Sequence, residues 1–440
     1  MNKKIFLALL LVAAIALSGC ALVVKDTEVD NARIVLDVNG ETVTKGEFND
    51  NVDSYLAYIA SYYSYYGYTY DTTSASNRAE AVETVKDGLI EDMVKDQKIV
   101  SEGLELTEEE IQAVEEEAQA TYDEYVAMFR EIYFSDSEEL SEEDQATLDS
   151  TVASYVGTVE SLVSSGKSDK LEEKLKAFAV QDVTVSDEEV QADFDEKVAE
   201  EKASYEEDIT AYGTAVNGGD TVYYAPAGYR YVKQVLVKFT SEDQTAISDA
   251  KTALSDAQSA LTEAQDALGE EPTEEQTQAV ADAEAKVAQA QADLDAATEA
   301  AYANIADRAN EVYEKAIAGE DFAALIDEYN EDPGMTSEPG KTYGYAVCEG
   351  YTPFETAFVE GAMSLQNVGD VTEPIKSASY GYYIIRYESE IAEGAIDIET
   401  VREDIRAELL ETAQDEAYDA AVEQWIAEAN IKTNLDILDD

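Results

Sequence analysis

The sequence predicts an α+β protein in which a small antiparallel sheet with helices interrupts a mostly helical chain. Apolar residues recur at helical spacing through residues 34–228 and again through 391–440, which indicates amphipathic helices at both ends. Residues 229–237 are rich in β-branched and aromatic side chains, which indicates a strand. Residues 245–300 are rich in Ala, with Ile, Leu or Val at every seventh position, which favours a close-packed helical hairpin.

The composition excludes several classes of function. The chain has 440 residues, and its 97 Asp and Glu side chains outnumber 29 Lys and Arg, so the formal net charge is −68. Such a field repels polyanions, and we therefore expect no nucleic-acid partner. His is absent, which excludes His general bases and His-ligated zinc. Two Cys are too few for a disulfide scaffold or a Cys-rich metal cluster, so we expect neither a metal nor a cofactor.

The first twenty residues predict export and lipid attachment. Two lysines precede an apolar run at residues 5–17, which has the length of a signal-peptide core and is too short to span a bilayer comfortably. The run ends in Leu-Ser-Gly followed by Cys20, which resembles the lipobox of bacterial lipoproteins, where the Cys is acylated and becomes the mature N-terminus. An ordinary secretory signal is the alternative. We expect a signal peptide at 1–19 and a lipidated tether at 20–33, with the protein on the extracytoplasmic face of the cell membrane.

The chain after this tether begins with two short strands and a capped helix. Residues 34–43 alternate in polarity around an Asn-Gly turn, which is typical of a hairpin. Thr44, followed three residues later by Glu47, predicts a capping box that opens a helix. The same start recurs at Thr107 and Ser186. The acidic residues at these helix starts do not form the Asp-x-Asp-x-Asp-Gly pattern of a calcium-binding loop. We therefore interpret them as solvated residues in the first turns of helices.

Eight tyrosines crowd the segment from Tyr55 to Tyr70. Tyr offers a large amphipathic contact area with little conformational freedom to lose, as binding surfaces require. One interpretation is therefore a surface that binds unfolded chains. The other is a helix end and loop whose tyrosines pack on their own domain.

The Ala-rich segment carries two heptad series. They are Ile247, Leu254, Leu261 and Leu268, and then Val280, Val287 and Leu294. Gly269 and Pro272 separate the two series, which favours an antiparallel hairpin over a single long solvated helix. The second arm is expected to continue to Gly319.

Three segments, in matching order and spacing, resemble the parvulin family of peptidyl-prolyl isomerases. They are residues 319–334 with Asp332-Pro333-Gly334, residues 344–358 with Pro353-Phe354-Glu355, and residues 369–385. The strand at 234–238 is similar to the family's opening His-Ile-Leu-Val strand. The resemblance implies a parvulin domain over residues 229–390, interrupted after its first strand by the hairpin at 245–300.

The chain as a whole resembles the PrsA-like extracellular foldases and the SurA-type chaperones. The features that carry this wider resemblance are the lipobox, the turn with its following helix, the helical region, the central parvulin and the closing helix. The resemblance implies that residues 34–228 form an N-terminal helical chaperone region and that residues 391–440 complete that lobe.

The predicted cleft departs from the parvulin pattern at its polar positions. The family has two His that face each other across the peptide cleft, and the matching positions hold Gln234 and Tyr383. Asp332 matches the family's Cys or Asp. These three are the candidate catalytic residues, because prolyl rotation needs groups that bind the twisted amide and requires no proton transfer. The candidate substrate-binding residues are Thr342, Tyr343, Tyr351, Phe354 and Phe358.

Two functions follow from this resemblance. The first is a membrane-anchored foldase that binds unfolded exported proteins and catalyses peptidyl-prolyl cis/trans isomerisation. The second is a holdase or scaffold lipoprotein whose parvulin fold binds peptides without a useful rate. A solute-binding lipoprotein is disfavoured because the sequence lacks a two-lobe α/β alternation. The remaining thiol, Cys348, is interpreted as a small buried residue, since no His is present to activate it.

Overall fold

The fold was analysed in a computed structural model that describes residues 27–135, 140–269 and 271–438. Cys20 and the predicted signal peptide lie outside the described residues. The chain forms two compact units. The first contains the chain up to Thr184 together with the chain from Leu409, and the second contains Val185–Glu408. Helices dominate both units and the sheets are small and antiparallel, which confirms the predicted α+β class.

Residues 27–135 and 140–184 form mainly helices. In chain order these elements are α1 (Thr27–Asn31), β1 (Ile34–Val38), β2 (Glu41–Thr44), α2 (Lys45–Tyr65), α3 (Ala75–Ser101), α4 (Glu108–Phe134), α5 (Glu142–Val156) and α6 (Val159–Ala179).

The remaining chain contains the larger sheet. Its elements are α7 (Asp187–Glu207), α8 (Thr210–Gly218), β3 (Tyr224–Ala225), β4 (Arg230–Lys238), α9 (Ser241–Asp266), α10 (Glu274–Ile317), α11 (Phe322–Tyr329), a 3-10 turn (Pro333–Met335), α12 (Gly340–Tyr343), β5 (Tyr345–Val347), α13 (Thr356–Ser364), β6 (Ile375–Lys376), β7 (Gly381–Glu390), β8 (Gly394–Ala395), a 3-10 turn (Ile398–Thr400), α14 (Arg402–Glu428), β9 (Ile431–Thr433) and a 3-10 turn (Leu435–Leu438).

The first unit is built around a three-stranded antiparallel sheet in the order β2-β1-β9. The capping box of Thr44 and Glu47 opens α2, and the side chains of Phe48 and Val52 from that helix are buried beside Val35 of β1. The capping boxes predicted at Thr107 and Ser186 are also present, at the starts of α4 and α7. Strand β9 and the 3-10 turn at Leu435–Leu438 follow α14. The sequence analysis predicts only a helix for this end of the chain.

The second unit is built around a four-stranded antiparallel sheet in the order β5-β4-β7-β6. Side chains alternate across β4, so that the two faces of the sheet pack against different parts of the unit. Val232 and Leu236 belong to one core cluster, and Val235 and Val237 to another. A sheet that is buried on both faces holds β4 rigidly, and β4 supplies three side chains of the site described below.

The Ala-rich hairpin forms between β4 and the rest of this sheet. Helices α9 and α10 have 26 and 44 residues. Asn304 Nδ2 bonds to Asp243 Oδ1 at 2.8 Å near the base, and Gln276 Nε2 bonds to the carbonyl of Ala267 at 2.7 Å near the tip, so the arms are antiparallel. The last turns of α10 lie on the sheet. Their buried side chains are Ala301, Tyr302, Ile305, Ala309 and Val312.

Residues 185–228 belong to the second unit, whereas the sequence analysis groups them with the N-terminal region. The reason is a shared aromatic core in which Tyr212 from α8 lies with its ring centroid 4.7 Å from that of Tyr229. Gly213 permits this contact, because a Cβ atom there would lie 2.9 Å from Tyr229 Oη and 2.7 Å from Tyr351 Cε2.

Two further findings concern the Cys348 thiol and the character of the helices. Cys348 is buried, as predicted for a structural thiol. Within the described residues, none of the helices has the length and apolar character that crossing a bilayer demands.

Candidate functional site

A cleft of about 320 Å³ opens on the second unit where the sheet meets α13 and the 3-10 turn at Pro333. Its lining combines aromatic rings with a few polar groups, as ligand sites generally do. The lining residues are Gln234, Leu236, Lys238, Asp332, Pro333, Tyr345, Pro353, Phe354, Glu355, Phe358, Tyr380 and Tyr383.

Alternation along the strands brings the polar residues to one face. Gln234, Leu236 and Lys238 are every second residue of β4, so they project on the same side of the sheet. Tyr383 of β7 is paired directly with Leu236, and Ile385 with Gln234, which places Tyr383 diagonally across from Gln234. The sheet register therefore brings two of the three candidate catalytic residues to the same cleft.

Asp332 is held in place through both oxygens of its carboxyl group. Its Oδ1 accepts the backbone N–H of Gly334 at 3.0 Å and so caps the 3-10 turn. Its Oδ2 accepts from Gln234 Nε2 at 2.7 Å and from the Tyr345 hydroxyl at 2.9 Å. Three hydrogen bonds hold this carboxyl group, so Asp332 mainly positions its neighbours in the cleft.

Gln234 presents its carbonyl oxygen as the available group. The residue is only 5% exposed, and its amide nitrogen donates to Asp332. Its Oε1 is buried without a hydrogen-bond partner among the described residues. An unpaired buried acceptor costs about 1–3 kcal/mol, and a backbone N–H of a bound peptide would remove that cost.

Tyr383 and Glu355 form the opposite polar wall. The Tyr383 hydroxyl donates to Glu355 Oε2 at 3.3 Å, which is long for an O–H donor, so the bond is readily exchanged for one to a ligand. Glu355 Oε1 is buried and unpartnered among the described residues. Burial raises the pKa of Tyr383, and the nearby carboxylate of Glu355 adds to that rise. The hydroxyl therefore stays protonated, and it remains a donor, at neutral pH.

Aromatic rings form the apolar floor of the cleft. The centroid of the Phe354 ring lies 4.9 Å from that of Tyr345 and 5.4 Å from that of Phe358. The Phe358 ring lies 5.2 Å from Tyr383 in an edge-to-face arrangement. Such geometry is favourable for aromatic pairs and leaves ring faces for an apolar ligand such as a pyrrolidine ring.

Five of the eight sequence-predicted cleft residues line this cleft, and three do not. The five are Gln234, Asp332, Phe354, Phe358 and Tyr383. Tyr351 is buried with its ring 5.0 Å from Phe354, and its hydroxyl accepts from Asn217 Nδ2 of α8 at 3.3 Å. Tyr343 is 58% exposed beside Tyr231, and Thr342 Oγ1 donates to Glu338 Oε1 at 2.8 Å.

Seven lining residues are not among the predicted site residues, and four of these seven carry polar groups. The four are Lys238, Tyr345, Glu355 and Tyr380. Tyr345 and Glu355 lie inside the segments that resemble the parvulins, directly after Gly344 and Phe354. Their positions in these segments could therefore have identified them as cleft residues. Lys238 and Tyr380 also lie inside matched segments, at 234–238 and 369–385, but their approach to each other depends on the paired ends of β4 and β7.

A family model matches the part of the chain that carries most of the cleft. The rotamase family described as "PPIC-type PPIASE domain" matches residues 286–389, which cover β5, β6, nearly all of β7 and most of α10. Foldase protein PrsA 3 of Bacillus anthracis is 34% identical over 128 residues, which cover 29% of this chain and 43% of the relative. Foldase protein PrsA of Clostridium botulinum (strain Hall) is 29% identical over 127 residues, which cover 29% of this chain and 37% of the relative. The chain thus spans less than half the length of these curated relatives.

Solved structures were compared over a larger share of the chain. A crystal structure of foldase protein PrsA from Streptococcus pneumoniae aligns with 91% of this chain and 94% of its own, at 16% identity and a TM-score of 0.25. The matched residues 286–389 include Asp332, Phe354, Phe358 and Tyr383 of the cleft, whereas Gln234 of β4 lies outside the match. Residues 286–389 thus match a rotamase family of the PPIC type, which agrees with the parvulin resemblance.

Proposed function

We propose that the protein is an extracytoplasmic foldase whose cleft catalyses peptidyl-prolyl cis/trans isomerisation in unfolded exported proteins. The observation that carries this proposal is the cleft itself, in which an aromatic floor around Phe354 faces the polar groups of Gln234 and Tyr383. The PrsA relatives are foldases by name, and that description supports the same function.

The chemistry requires no bond to break. Rotation about a prolyl peptide bond is opposed by a barrier of about 20 kcal/mol, because amide resonance is lost in the twisted state. The rings of Phe354 and Phe358 hold the proline, Gln234 Oε1 accepts a backbone N–H of the client, and the Tyr383 hydroxyl donates to a carbonyl oxygen. Groups that bind the twisted amide more tightly than the planar amide lower the barrier, and none of them has to transfer a proton. The absence of both His of the parvulin pattern is compatible with this mechanism.

Refolding of a client whose slow phase is limited by a native cis-proline tests the proposal. The intact protein should raise the rate of that slow phase, and Phe354→Ala should abolish the acceleration. Tyr343→Ala is the control, since Tyr343 is exposed outside the cleft. An unchanged rate of the slow phase, together with a higher yield of folded client, would contradict isomerase activity. That result would support a holdase function instead.

A holdase is the second candidate function, and one surface favours it. Residues 54–70 contain no charged side chain in a chain that is 29% charged. Within them, large parts of the side chains are exposed in Tyr58, Tyr62, Tyr63, Tyr65, Tyr66 and Tyr68. An uncharged aromatic surface of this kind binds apolar segments of unfolded chains. The surface lies in the first unit, which supports a chaperone lobe made from residues 34–184 and 409–438.

The Tyr surface can be tested in the intact protein. Changing Tyr62, Tyr65, Tyr66 and Tyr68 together to Ser should weaken suppression of aggregation of an unfolded client. The proline-limited refolding rate should stay the same, because these residues do not line the cleft. Full suppression by this variant would contradict a client-binding role for the surface.

Membrane anchoring through Cys20 is a further part of the proposal. The Leu-Ser-Gly-Cys sequence supports it, because that sequence ends an apolar signal at the expected place. Two or more acyl chains give stable attachment, since each buried CH₂ contributes about 0.8 kcal/mol. Cys20→Ala should therefore move the protein from washed membranes to the soluble fraction. Retention of a processed Cys20→Ala protein in membranes would contradict lipid anchoring.

A further inference from the structure

A buried tyrosine at the base of the hairpin contacts the turn that joins β6 to β7. Tyr302 lies in α10 and is 6% exposed, and its hydroxyl donates to the carbonyl oxygen of Ser377 at 2.6 Å. Ser377 is fully buried and begins the turn, because β6 ends at Lys376 and β7 begins at Gly381. The second arm of the hairpin therefore contacts the turn that precedes the strand of Tyr383.

The ring of Tyr302 is packed on several sides. Its centroid lies 5.0 Å from that of Phe239 and 5.4 Å from that of Tyr382. Lys376 Nζ lies 4.3 Å from the centre of the Tyr302 ring and pairs with Glu299 Oε1 at 2.9 Å. Both partners of this ion pair are exposed, and such pairs contribute little. The buried bond from the Tyr302 hydroxyl is therefore the stronger link between α10 and the turn.

Ser377 organises the turn through its backbone and through its side chain. Its N–H donates to the carbonyl oxygen of Gly381 at 2.8 Å, and its Oγ accepts the N–H of Tyr380 at 2.9 Å. The carbonyl oxygen of Tyr380 accepts the N–H of Phe239 at 2.8 Å. Because Tyr380 lines the cleft, a shift of Ser377 displaces part of the cleft wall.

Ser377 also acts on Tyr383, the hydrogen-bond donor of the proposed mechanism. Ile375, two residues before Ser377, is paired with Tyr383 in the sheet. Burial raises the pKa of Tyr383, and the side chain of Ser377 interacts with the Tyr383 hydroxyl and opposes that rise. Ser377 is thus in contact with the hairpin through Tyr302 and with the cleft through Tyr383.

We propose that Tyr302 is a positioning residue for prolyl isomerisation, which holds Ser377 and through it directs the Tyr383 hydroxyl toward the client. The inference rests on the proposed function, because it concerns the same cleft. A group that must meet the twisted amide needs a fixed position, and a displacement well below the size of an atom is enough to lower the rate. The base of the hairpin is in this way a part of the isomerase site.

Tyr302→Phe tests the inference in the intact protein, because it removes the hydroxyl and keeps the ring. Exchange NMR on a short Ala-Pro peptide gives the rate, and fluorescence anisotropy of the labelled peptide gives the affinity. The exchange rate should fall about three- to tenfold, which is the effect of one hydrogen bond, and the affinity should change less than about twofold. Tyr313→Phe is the matched control and should leave both unchanged, since Tyr313 lies on the same helix outside the cleft.

Two further measurements separate positioning from a general loss of stability. In a Tyr383→Phe background, Tyr302→Phe should lower the rate little further, because the donor that it positions is already gone. Hydrogen exchange followed by mass spectrometry should be faster for the amides of residues 377–383 in Tyr302→Phe and unchanged in Tyr313→Phe.

Several results would overturn the inference. An unchanged rate in Tyr302→Phe, or the same fold-loss with and without the Tyr383 hydroxyl, excludes positioning of Tyr383 by Tyr302. A loss confined to peptide affinity excludes it as well. Failure of the proposed function has a different signature, in which the unmodified protein isomerises no peptide above background. Hydrogen exchange then decides the inference: faster exchange of residues 377–383 in Tyr302→Phe alone supports it, and equal exchange in all three proteins contradicts it.

Discussion

The amide nitrogen of Gln234 lies 2.7 Å from Asp332 Oδ2, and this bond fixes which atom of Gln234 faces the cleft. Because the amide donates to Asp332, the carbonyl oxygen is left as a buried acceptor without a partner among the described residues. A His at the same position can present either a donor or an acceptor, whereas this Gln is committed to accepting. In the proposed mechanism, Gln234 therefore accepts a client N–H and Tyr383 is the donor.

Tyr383→Phe tests the donor directly. Loss of one hydrogen bond that is made mainly in the twisted state should cost about 1–3 kcal/mol, which lowers the exchange rate by roughly ten- to a hundredfold. Peptide affinity should change little, because the aromatic ring remains. Tyr343→Phe is the matched control outside the cleft. A rate in Tyr383→Phe equal to that of the unmodified protein would exclude the hydroxyl from the mechanism.

Tyr345→Phe tests the role of Asp332 as an anchor. The Tyr345 hydroxyl donates to Asp332 Oδ2 at 2.9 Å, so its removal should lower the free energy of unfolding by about 1–3 kcal/mol. In an Asp332→Ala background the same change should cost much less, since the acceptor is already gone. Chemical denaturation of the unmodified protein, the two single variants and the double variant measures the coupling free energy between the two side chains. Equal losses in both backgrounds would mean that the two side chains act independently.

The pH dependence of the rate follows from the titratable groups of the cleft. The chain has no His, and burial raises the pKa of both Tyr345 and Tyr383. The exchange rate should therefore be flat from about pH 6 to about pH 9. A raised folded-state pKa means that folding favours the neutral hydroxyl. This contribution to stability is complete below about pH 10 and is lost as the pH rises through the folded-state values. An exchange rate that rises or falls with a midpoint near pH 6–7 would contradict the assignment of a Tyr hydroxyl as the hydrogen-bond donor.

Shortening the hairpin should leave the sheet intact. In the described part of the hairpin α9 has no buried residue, and in α10 the buried residues other than Ala283 begin at Ala301. Replacing residues 255–290 with a short Gly/Ser turn removes the outer arms and keeps Ile247, Lys251 and the turns on the sheet. Thermal unfolding should remain cooperative and the exchange rate should be unchanged. Loss of cooperative unfolding would mean that the outer arms are integral to the second unit.

The sequence was informative where a local pattern determines the structure. The capping pair of Thr44 and Glu47, the strand at Ile34–Val38 and the heptad series of the hairpin depend on neighbours in the chain, and all three have the predicted structures. The cleft residues Gln234 and Phe354 were found because they stand in ordered segments with fixed spacing.

The sequence was less informative where a distant element determines the position of a residue. Tyr351 is a candidate substrate-binding residue in the sequence, but Asn217 and Gly213 of α8 pack around it, and no local pattern predicts that contact. The partnership of Tyr345 with Asp332 likewise requires the antiparallel register of β5 on β4. The same limit applies to residues 185–228, whose tyrosines enter the core of the sheet unit.

The central claim is that the cleft accelerates prolyl rotation without His. Exchange NMR on a short Ala-Pro peptide, with the intact protein at catalytic concentration, measures this most directly. We expect cis/trans exchange above the uncatalysed background, loss of that exchange in Phe354→Ala, and a higher rate when Gln234→His and Tyr383→His are combined. Exchange at background in both the unmodified protein and the double His variant would contradict the claim, because the cleft would then bind peptides without catalysing rotation.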